Sequence, residues 1–325
     1  MIRLAVLGTS EIVRRAVLRP LRQMSEFDVR VLLIGRDAER TARFAAENGV
    51  THWSTSRDKA LSNAEVDAAY IALPNILHAE TTANAARAGL DVLVEKPICL
   101  CARELAQVTE AAETSGSDVV EAVMVTHHPW LAYLAKLQAS HGPILRTRTE
   151  LWFQPTADRL QRIPPTIEGG GILYDVSPYW LAITQQTAGL DVVDCSIRVI
   201  HAGLGRDLEV EARVELRSGG IVDLSAGYGR FRAMHEVVFE RAIARVENFL
   251  RPAVGNLMLG IIITRSGREP ENILFDAASY YATQLRDFIE SHSSGRRGAA
   301  GLVSAAARMQ VIERLLPSLL RQVRA

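Results

Sequence analysis

The chain begins with the stretch MIRLAVLG (residues 1–8), an almost unbroken apolar run that ends at a glycine. Such runs are typical of strands buried on both faces of a parallel sheet, where the alternation of polar and apolar residues is lost. Further strand-like runs lie at residues 29–35, 51–53, 68–73, 92–94 and 119–123. Helix-like segments separate most of these runs, at residues 12–24, 38–48, 79–88 and 102–115. This alternation predicts a doubly wound, parallel α/β domain over residues 1–122.

After residue 121 the regular alternation of apolar runs and helix-like segments ends. The next segments are a helix at 131–140, a strand at 144–153 and a Gly-Gly-Gly loop leading into a helix that ends near 187. Strand-like segments separated by turns follow at 193–201, 208–216, 221–227, 236–239, 244–247 and 261–265. The chain closes with helices at 277–291 and 301–321, joined by a loop at 293–298. Strands joined directly by turns favour antiparallel pairing. The pattern therefore predicts an α+β domain over residues 123–325, with an open, mainly antiparallel sheet and closing helices that are able to pack back on the first domain.

The overall composition excludes several function classes. Lys plus Arg number 37 and Asp plus Glu also number 37, so the chain lacks the basic excess of a protein that binds nucleic acid or a membrane surface. Its three cysteines, at 99, 101 and 195, have neither disulfide-framework nor zinc-site spacing, and no metal site is expected. Because no leader precedes the first strand and no apolar stretch reaches ~18 residues, we expect a cytoplasmic protein.

The first glycine lies where a dinucleotide pyrophosphate would bind, between a strand and the helix that follows it. The turn reads GTSEIV, so Ser10 and Val13 stand where the second and third glycines of the dinucleotide fingerprint would be. A plain turn glycine explains this stretch equally well. The candidate cofactor contacts here are Gly8, Thr9, Ser10, Glu11 and Ile12.

The end of the second strand indicates which dinucleotide is preferred. An acidic residue there would bind the ribose 2′-hydroxyl, but the chain reads IGRDAER over residues 34–40, with Arg36 at that place. An arginine fork suits a 2′-phosphate, so NADP(H) is favoured over NAD(H), with Arg36 and Arg40 as contacts. The alternative is a surface arginine that starts a helix.

Two further motifs follow the fourth and fifth strands. The chain reads LPNILH over residues 73–78 and VEKP over residues 94–97, so a lysine lies at the carboxyl edge of the parallel sheet. The segment GGILYDVSPY follows at residues 170–179, and VTHHP at 125–129 enters the second domain. The first two motifs add these candidate cofactor contacts: Leu73, Pro74, Asn75, His78, Glu95, Lys96 and Pro97.

With these motifs the chain resembles the Gfo/Idh/MocA oxidoreductases over nearly its whole length. The resemblance implies a Rossmann dinucleotide-binding domain. It further implies that Lys96 contacts the cofactor and the reacting oxygen, that Asp175 orients the substrate and that Tyr179 donates or accepts the proton. Independently of the family, residues four apart share one helix face, so Asp175 and Tyr179 are able to point to the same side of a helix. The alternatives are that Asp175 caps a helix or pairs with an arginine and that Tyr179 is a core aromatic.

Within the family the chain looks most like the nucleotide-sugar ketoreductases of deoxysugar pathways, which implies a keto-sugar substrate. Further candidate substrate contacts are His128, Arg162, Tyr228 and His235. Two alternatives stay open: a dinucleotide-binding sensor without catalysis, and a reductase of a non-sugar carbonyl or an imine. Because an open sheet exposes one face, we also expect a homodimer or homotetramer formed through that face.

Overall fold

The computed structural model describes residues 1–61, 65–295 and 300–324. The chain divides into two compact units. The first comprises Met1–Met124 and Tyr281–Ala306, and the second comprises Val125–Tyr280 and Ala307–Ala325. The predicted loop at residues 293–298 extends beyond the described residues at 296–298.

The first unit contains a six-stranded, wholly parallel sheet with the strand order β3-β2-β1-β4-β5-β6. Its strands are β1 (Ile2–Leu7), β2 (Val29–Ile34), β3 (His52–Ser54), β4 (Ala68–Ile71), β5 (Asp91–Glu95) and β6 (Val119–Ala122). The order reverses between β1 and β4, and at such a point a doubly wound sheet binds its ligand beyond the carboxyl ends of the strands. All residues of β4 and β5 are buried, which explains the apolar runs at 68–71 and 92–94.

Helices of the first unit connect these strands. The first helical stretch consists of α1 (Glu11–Val13), a π-helical turn (Arg14–Leu18) and α2 (Arg19–Leu21). The others that connect strands are α3 (Ala38–Glu47), α4 (Arg57–Leu61), α5 (His78–Arg87) and α6 (Ala102–Ser115). Helix α10 (Tyr280–Ser293) follows the second sheet in the chain, and all its residues except Tyr280 belong to the first unit. Near the end of α10, His292 Nδ1 lies 2.7 Å from a carboxylate oxygen of Asp91, at the start of β5.

The second unit contains an eight-stranded sheet with the order β14-β13-β12-β11-β7-β10-β9-β8. Its strands are β7 (Ile144–Phe153), β8 (Val192–Gly203), β9 (Arg206–Leu216), β10 (Ile221–Tyr228), β11 (Arg232–Phe239), β12 (Ile243–Glu247), β13 (Leu257–Thr264) and β14 (Glu271–Ala278). Its helices are α7 (Pro129–His141), α8 (Ala157–Gln161) and α9 (Gly171–Thr187). Neighbouring strands are antiparallel except β7 and β10, which are parallel. A last helix, α11 (Ala300–Arg324), has residues in both units.

Among the described residues of the second unit, α9 covers one face of the second sheet, and the other face carries exposed side chains. The buried helix α9 packs on β7, β9 and β10. Strand β9 shows the resulting alternation, because Val210, Ala212 and Val214 are buried while Glu211 and Arg213 between them are exposed. The exposed side chains form ion pairs across neighbouring strands, such as Arg198 with Glu211 at 2.5 Å.

The predicted fold class is confirmed, because a parallel doubly wound sheet is followed by a mainly antiparallel one. Three elements were missed by the sequence pattern: α4, α8 and β14. Strand β14 is an edge strand whose short apolar run at 273–275 is flanked by exposed polar residues, so the pattern of a buried strand is weak. In the described part of the chain, no helix is long and apolar enough to cross a membrane.

Candidate functional site

The turn after β1 requires glycine at its first position. Gly8 has a φ of +124°, and a Cβ there would lie 2.4 Å from the carbonyl oxygen of Ala72. Ser10 leaves its Oγ buried and without a hydrogen-bond partner among the described residues. Val13 is fully buried, so the sheet accepts a large residue at the third fingerprint position. A close backbone turn beside an unsatisfied hydroxyl fits a pyrophosphate group.

The turn after β2 presents basic groups toward the same sheet edge. Asp37 is occupied as the N-cap of α3, where its carboxylate accepts a hydrogen bond from the Arg40 backbone N–H at 2.8 Å. The Arg40 guanidinium donates to the carbonyl oxygen of Thr9 at 3.3 Å, and Arg36 is exposed. The residues present therefore fit a dinucleotide. The other predicted contacts of the first turn are partly or fully exposed: Thr9, Glu11 and Ile12.

Buried polar groups form hydrogen bonds on both sides of Lys96. The Tyr70 hydroxyl donates to the carboxylate of Glu95 at 2.5 Å, and the Ile98 backbone N–H donates to Glu121 at 3.0 Å. Burial raises the pKa of Glu95 above its ordinary value, while the Tyr70 hydroxyl and the charge of Lys96 oppose that shift. Lys96 therefore lies in a segment whose neighbouring residues are held by buried hydrogen bonds.

His78 fastens the same segment to the preceding turn. Its Nδ1 lies 2.7 Å from the carbonyl oxygen of Pro97, and its Nε2 lies 2.7 Å from that of Leu73. A neutral imidazole donates from only one nitrogen, so only the protonated ring satisfies both carbonyls. Burial lowers the pKa of His78, the two carbonyls raise it, and the charge of Lys96 lowers it further. The ring therefore ties together the ends of β4 and β5. Its contact with a cofactor stays a prediction, as do those of Pro74 and Asn75, which are not buried.

The start of α9 in the second unit also requires glycine. A Cβ on Gly170 would lie 1.8 Å from the carbonyl oxygen of Pro164. Gly171 has a φ of +84°, and its Cβ would lie 1.9 Å from a carboxylate oxygen of Asp207. That carboxylate accepts hydrogen bonds from the Thr166 hydroxyl at 2.6 Å and from the Leu173 backbone N–H at 2.7 Å. The two glycines therefore let a buried acid cap the helix.

Asp207 is a residue of the candidate site that the sequence analysis missed. Its side chain is fully buried, and burial raises its pKa to about 6 against the hydrogen bonds that lower it. The sequence offers no signal for this role, because Asp207 is one polar residue at the start of a strand, just after the hairpin turn at Leu204-Gly205. The connection depends on Thr166, which lies 41 residues away.

Helix α9 carries both predicted catalytic residues of the second unit. Asp175 is partly exposed and Tyr179 is 7% exposed, four residues along the helix. Tyr228, at the end of β10, lies near this helix. Burial raises the pKa of Tyr228, and the carboxylates of Asp175 and Asp207 raise it further. The structure therefore brings Tyr228 and Asp175 together.

The remaining predicted substrate contacts have partners within the second unit. His128 caps α7 by accepting from the Trp130 backbone N–H at 3.2 Å, and burial lowers its pKa to about 4. His235 is fully buried 2.9 Å from the Thr149 hydroxyl, and burial lowers its pKa to about 3. Arg162 is exposed and pairs with Asp158 at 2.5 Å. For these three residues a substrate contact stays a prediction.

Comparison with known proteins gives a consistent result. The family model for Gfo/Idh/MocA proteins, described as an oxidoreductase family with an NAD-binding Rossmann fold, matches residues 2–123. The chain is 33% identical to D-xylose 1-dehydrogenase (NADP(+)) 2 of Haloferax volcanii, over 65% of this chain and 67% of that protein. It is 27% identical to 1,5-anhydro-D-fructose reductase of Ensifer adhaerens, over 96% of this chain and 95% of that protein.

Other relatives are matched over a smaller part of their length. Six further curated relatives are spanned over 44 to 57% of their own length. Among solved structures, KijD10, a 3-ketoreductase from Actinomadura kijaniata in complex with NADP and TDP-benzene, superimposes with a TM-score of 0.87. The two chains are 22% identical, and the match covers 97% of each, so this likeness establishes the shared fold.

Proposed function

The chain belongs to the Gfo/Idh/MocA oxidoreductase family, and from that premise we propose that it is an NADP-dependent enzyme acting on a sugar-like carbonyl or hydroxyl. The observation that carries the proposal is the start of α9. There Gly170, Gly171 and the buried Asp207 fix the helix that carries Asp175 and Tyr179. Such a costly local arrangement suits residues that must be positioned accurately for catalysis.

The proposed reaction is hydride transfer between the cofactor and a carbonyl carbon. The bound nicotinamide supplies or accepts the hydride. In the direction of reduction Tyr179 donates a proton to the carbonyl oxygen, and Lys96 stabilises the negative charge that develops there. Asp175 accepts hydrogen bonds from substrate hydroxyls and so orients the ring. His78 and the buried Glu121 hold the backbone that follows Lys96, which supports a defined starting point for its side chain.

The preference for NADP is proposed from the turn after β2. Asp37 is used as a helix cap, so the nearest carboxylate is occupied, and the exposed Arg36 stands where a 2′-phosphate would bind. Relatives named for NADP(+) use, including the xylose dehydrogenase, support this choice.

For the substrate, we propose the keto group of a nucleotide-linked hexose. Two relatives are dTDP-3,4-didehydro-2,6-dideoxy-alpha-D-glucose 3-reductases, each 28% identical over 59% of this chain. Relatives that act on xylose or anhydrofructose make a free sugar the competing substrate class.

A titration tests the proposal first. The purified protein is titrated with NADPH and with NADH, following nicotinamide fluorescence, and the NADPH complex is then mixed with keto-sugars. We expect tighter binding of NADPH and oxidation of NADPH by at least one keto-sugar. Binding without turnover of any sugar, carbonyl or imine substrate would indicate a sensor, and binding of neither cofactor would contradict the oxidoreductase assignment.

We further propose that a second copy of the chain docks on the uncovered face of the second sheet. This face carries both signs of charge, with Arg146 and Arg213 sharing Asp223 across β7, β10 and β9. Toward β14 it exposes large apolar side chains: Ile243, Met258, Ile262 and Leu274. A face with both features is able to pair with its own copy about a twofold axis. A monomer mass by light scattering at micromolar concentration would contradict this proposal.

A further inference from the structure

The second unit contains a buried arginine whose charge has no carboxylate partner. Arg206, at the start of β9, is only 7% exposed. Its Nη1 donates to the carbonyl oxygen of Leu160 at 2.5 Å, and its Nε is buried without a hydrogen-bond partner. Within residues 1–61, 65–295 and 300–324, no ion pair joins this guanidinium to a carboxylate. Burying an unpaired charge is costly, so a missing anionic partner is indicated.

The neighbouring carboxylate does not fill that role. Asp207 is adjacent in sequence, but its oxygens accept hydrogen bonds from Thr166 and from the first turn of α9. The Asp207 carboxylate is therefore committed to the turn before α9 and forms no ion pair with Arg206 among the described residues. The guanidinium of Arg206 therefore remains available to a ligand.

Other polar groups surround the same place. The carbonyl that Arg206 holds belongs to α8, and that helix also carries the exposed Arg159. Tyr228 ends β10, beside β9 in the sheet, and the charges of both arginines act on its hydroxyl. The same hydroxyl is influenced by Asp175 on α9. Two cations, a phenol and one substrate-side carboxylate thus converge from four elements of the second unit.

We propose that Arg206, Arg159 and Tyr228 form a subsite for a phosphate or diphosphate group of the substrate. An arginine fork matches phosphate oxygens, and a tyrosine hydroxyl donates one further hydrogen bond. Asp175, whose charge also acts on Tyr228, repels phosphate and is suited to accept hydrogen bonds from sugar hydroxyls. The substrate is therefore oriented with its sugar at Asp175 and its phosphate at Arg206. This inference rests on the proposed function and adds to it the residues that hold the phosphate end of the substrate, which separates a nucleoside diphosphate sugar from the competing free sugar.

Calorimetry on the full-length protein tests the subsite. The protein is first saturated with NADP⁺, so that the cofactor site is filled, and is then titrated with UDP and with inorganic pyrophosphate. We expect both anions to bind, and Arg206→Met to weaken their binding at least tenfold. Arg159→Gln, at an exposed position, keeps the test valid if the buried variant does not fold, and it is expected to weaken binding about threefold. Arg217→Met is the matched control, because Arg217 is exposed and pairs with Asp191.

The outcomes separate this inference from the proposed function. NADPH binding and hydride transfer to a free keto-sugar, with no binding of UDP or pyrophosphate, would overturn the subsite and leave the oxidoreductase proposal standing. Equal binding by the wild-type protein, Arg159→Gln and Arg206→Met would also overturn it. Failure of the protein to bind NADPH is measured separately by fluorescence and bears on the proposed function alone.

Discussion

The two glycine turns of this chain each start a helix, but they are built differently. After β1 only Gly8 is enforced, by its backbone angle and by the nearby carbonyl of Ala72, while Ser10 and Val13 replace the other fingerprint glycines. Before α9 both Gly170 and Gly171 are enforced, because a carbonyl and a buried carboxylate occupy the space where a Cβ would lie.

The difference lies in what satisfies each helix start. Ser10 is the N-cap residue of the first helix, but its side chain makes no capping hydrogen bond. The N-terminus of that helix is therefore available to an anionic group from outside the chain. The start of α9 is capped internally by Asp207, which leaves no place there for an external anion. The turn that we propose binds the cofactor thus holds residues other than glycine at two fingerprint positions, whereas the turn before the proposed catalytic side chains is fixed by contacts within the protein.

The largest expected effect comes from a substitution in the turn before α9, at Gly171. Gly171→Ala places a Cβ against Asp207 and forces alanine into the left-handed region, so we expect a loss of about 3–5 kcal/mol in the free energy of unfolding. Gly189→Ala is the matched control, because Gly189 has a φ of +80° and no atom within 4 Å of its Cβ position. That variant is expected to lose about 1 kcal/mol. Equal losses in denaturant unfolding would show that Asp207 does not constrain the turn.

Particular residues show which parts of the fold and of the candidate site the sequence predicts. The strands of the first sheet are predicted within two residues, because burial on both faces leaves continuous apolar runs. Strand β14 is missed because an exposed edge strand carries polar residues such as Glu271 and Asp276. Asp207 caps α9 through a tertiary contact, which no local pattern shows. His128 caps α7 only because that helix begins at the next residue, and the sequence does not define that start exactly. Local patterns therefore predict the elements and the motifs, and they do not predict which buried polar groups hold the motifs in place.

The pH dependence of stability sharpens the same comparison. The pKa of Asp207 is about 6 in the folded protein, above the ~3.9 of an unfolded chain. Its stabilising contribution is therefore complete below pH ~4 and is lost as the pH rises through about 6. We expect the difference in unfolding free energy between wild type and Asp207→Asn to fall by about 2–3 kcal/mol between pH 4 and pH 7. A difference that does not change with pH would contradict the raised pKa.

Removing the proposed catalytic groups is expected to change the rate and not the fold. Lys96→Ala and Tyr179→Phe should each lower turnover at least roughly tenfold, because each removes a group that acts on the reacting oxygen. Tyr133→Phe is the control, since Tyr133 lies on α7 and packs against Phe275. Circular dichroism checks that all three variants are folded. Unchanged steady-state rates in both site variants would exclude the assigned roles.

The smallest expected effect concerns Arg36, in the turn after β2, which lies beside the turn after β1. Arg36 is exposed, so its contact with a 2′-phosphate is partly screened and contributes about 1 kcal/mol, or roughly fivefold in affinity. Arg36→Ala should therefore weaken NADPH binding by about that factor and leave NADH binding unchanged, as measured by nicotinamide fluorescence. Arg43→Ala provides the control, because Arg43 lies on the same helix as Arg40 and its contact is with Glu39 at 3.9 Å. If Arg36→Ala weakens both cofactors equally, the arginine supports the turn and does not select the 2′-phosphate, and the NADP preference must then come from other residues of this edge.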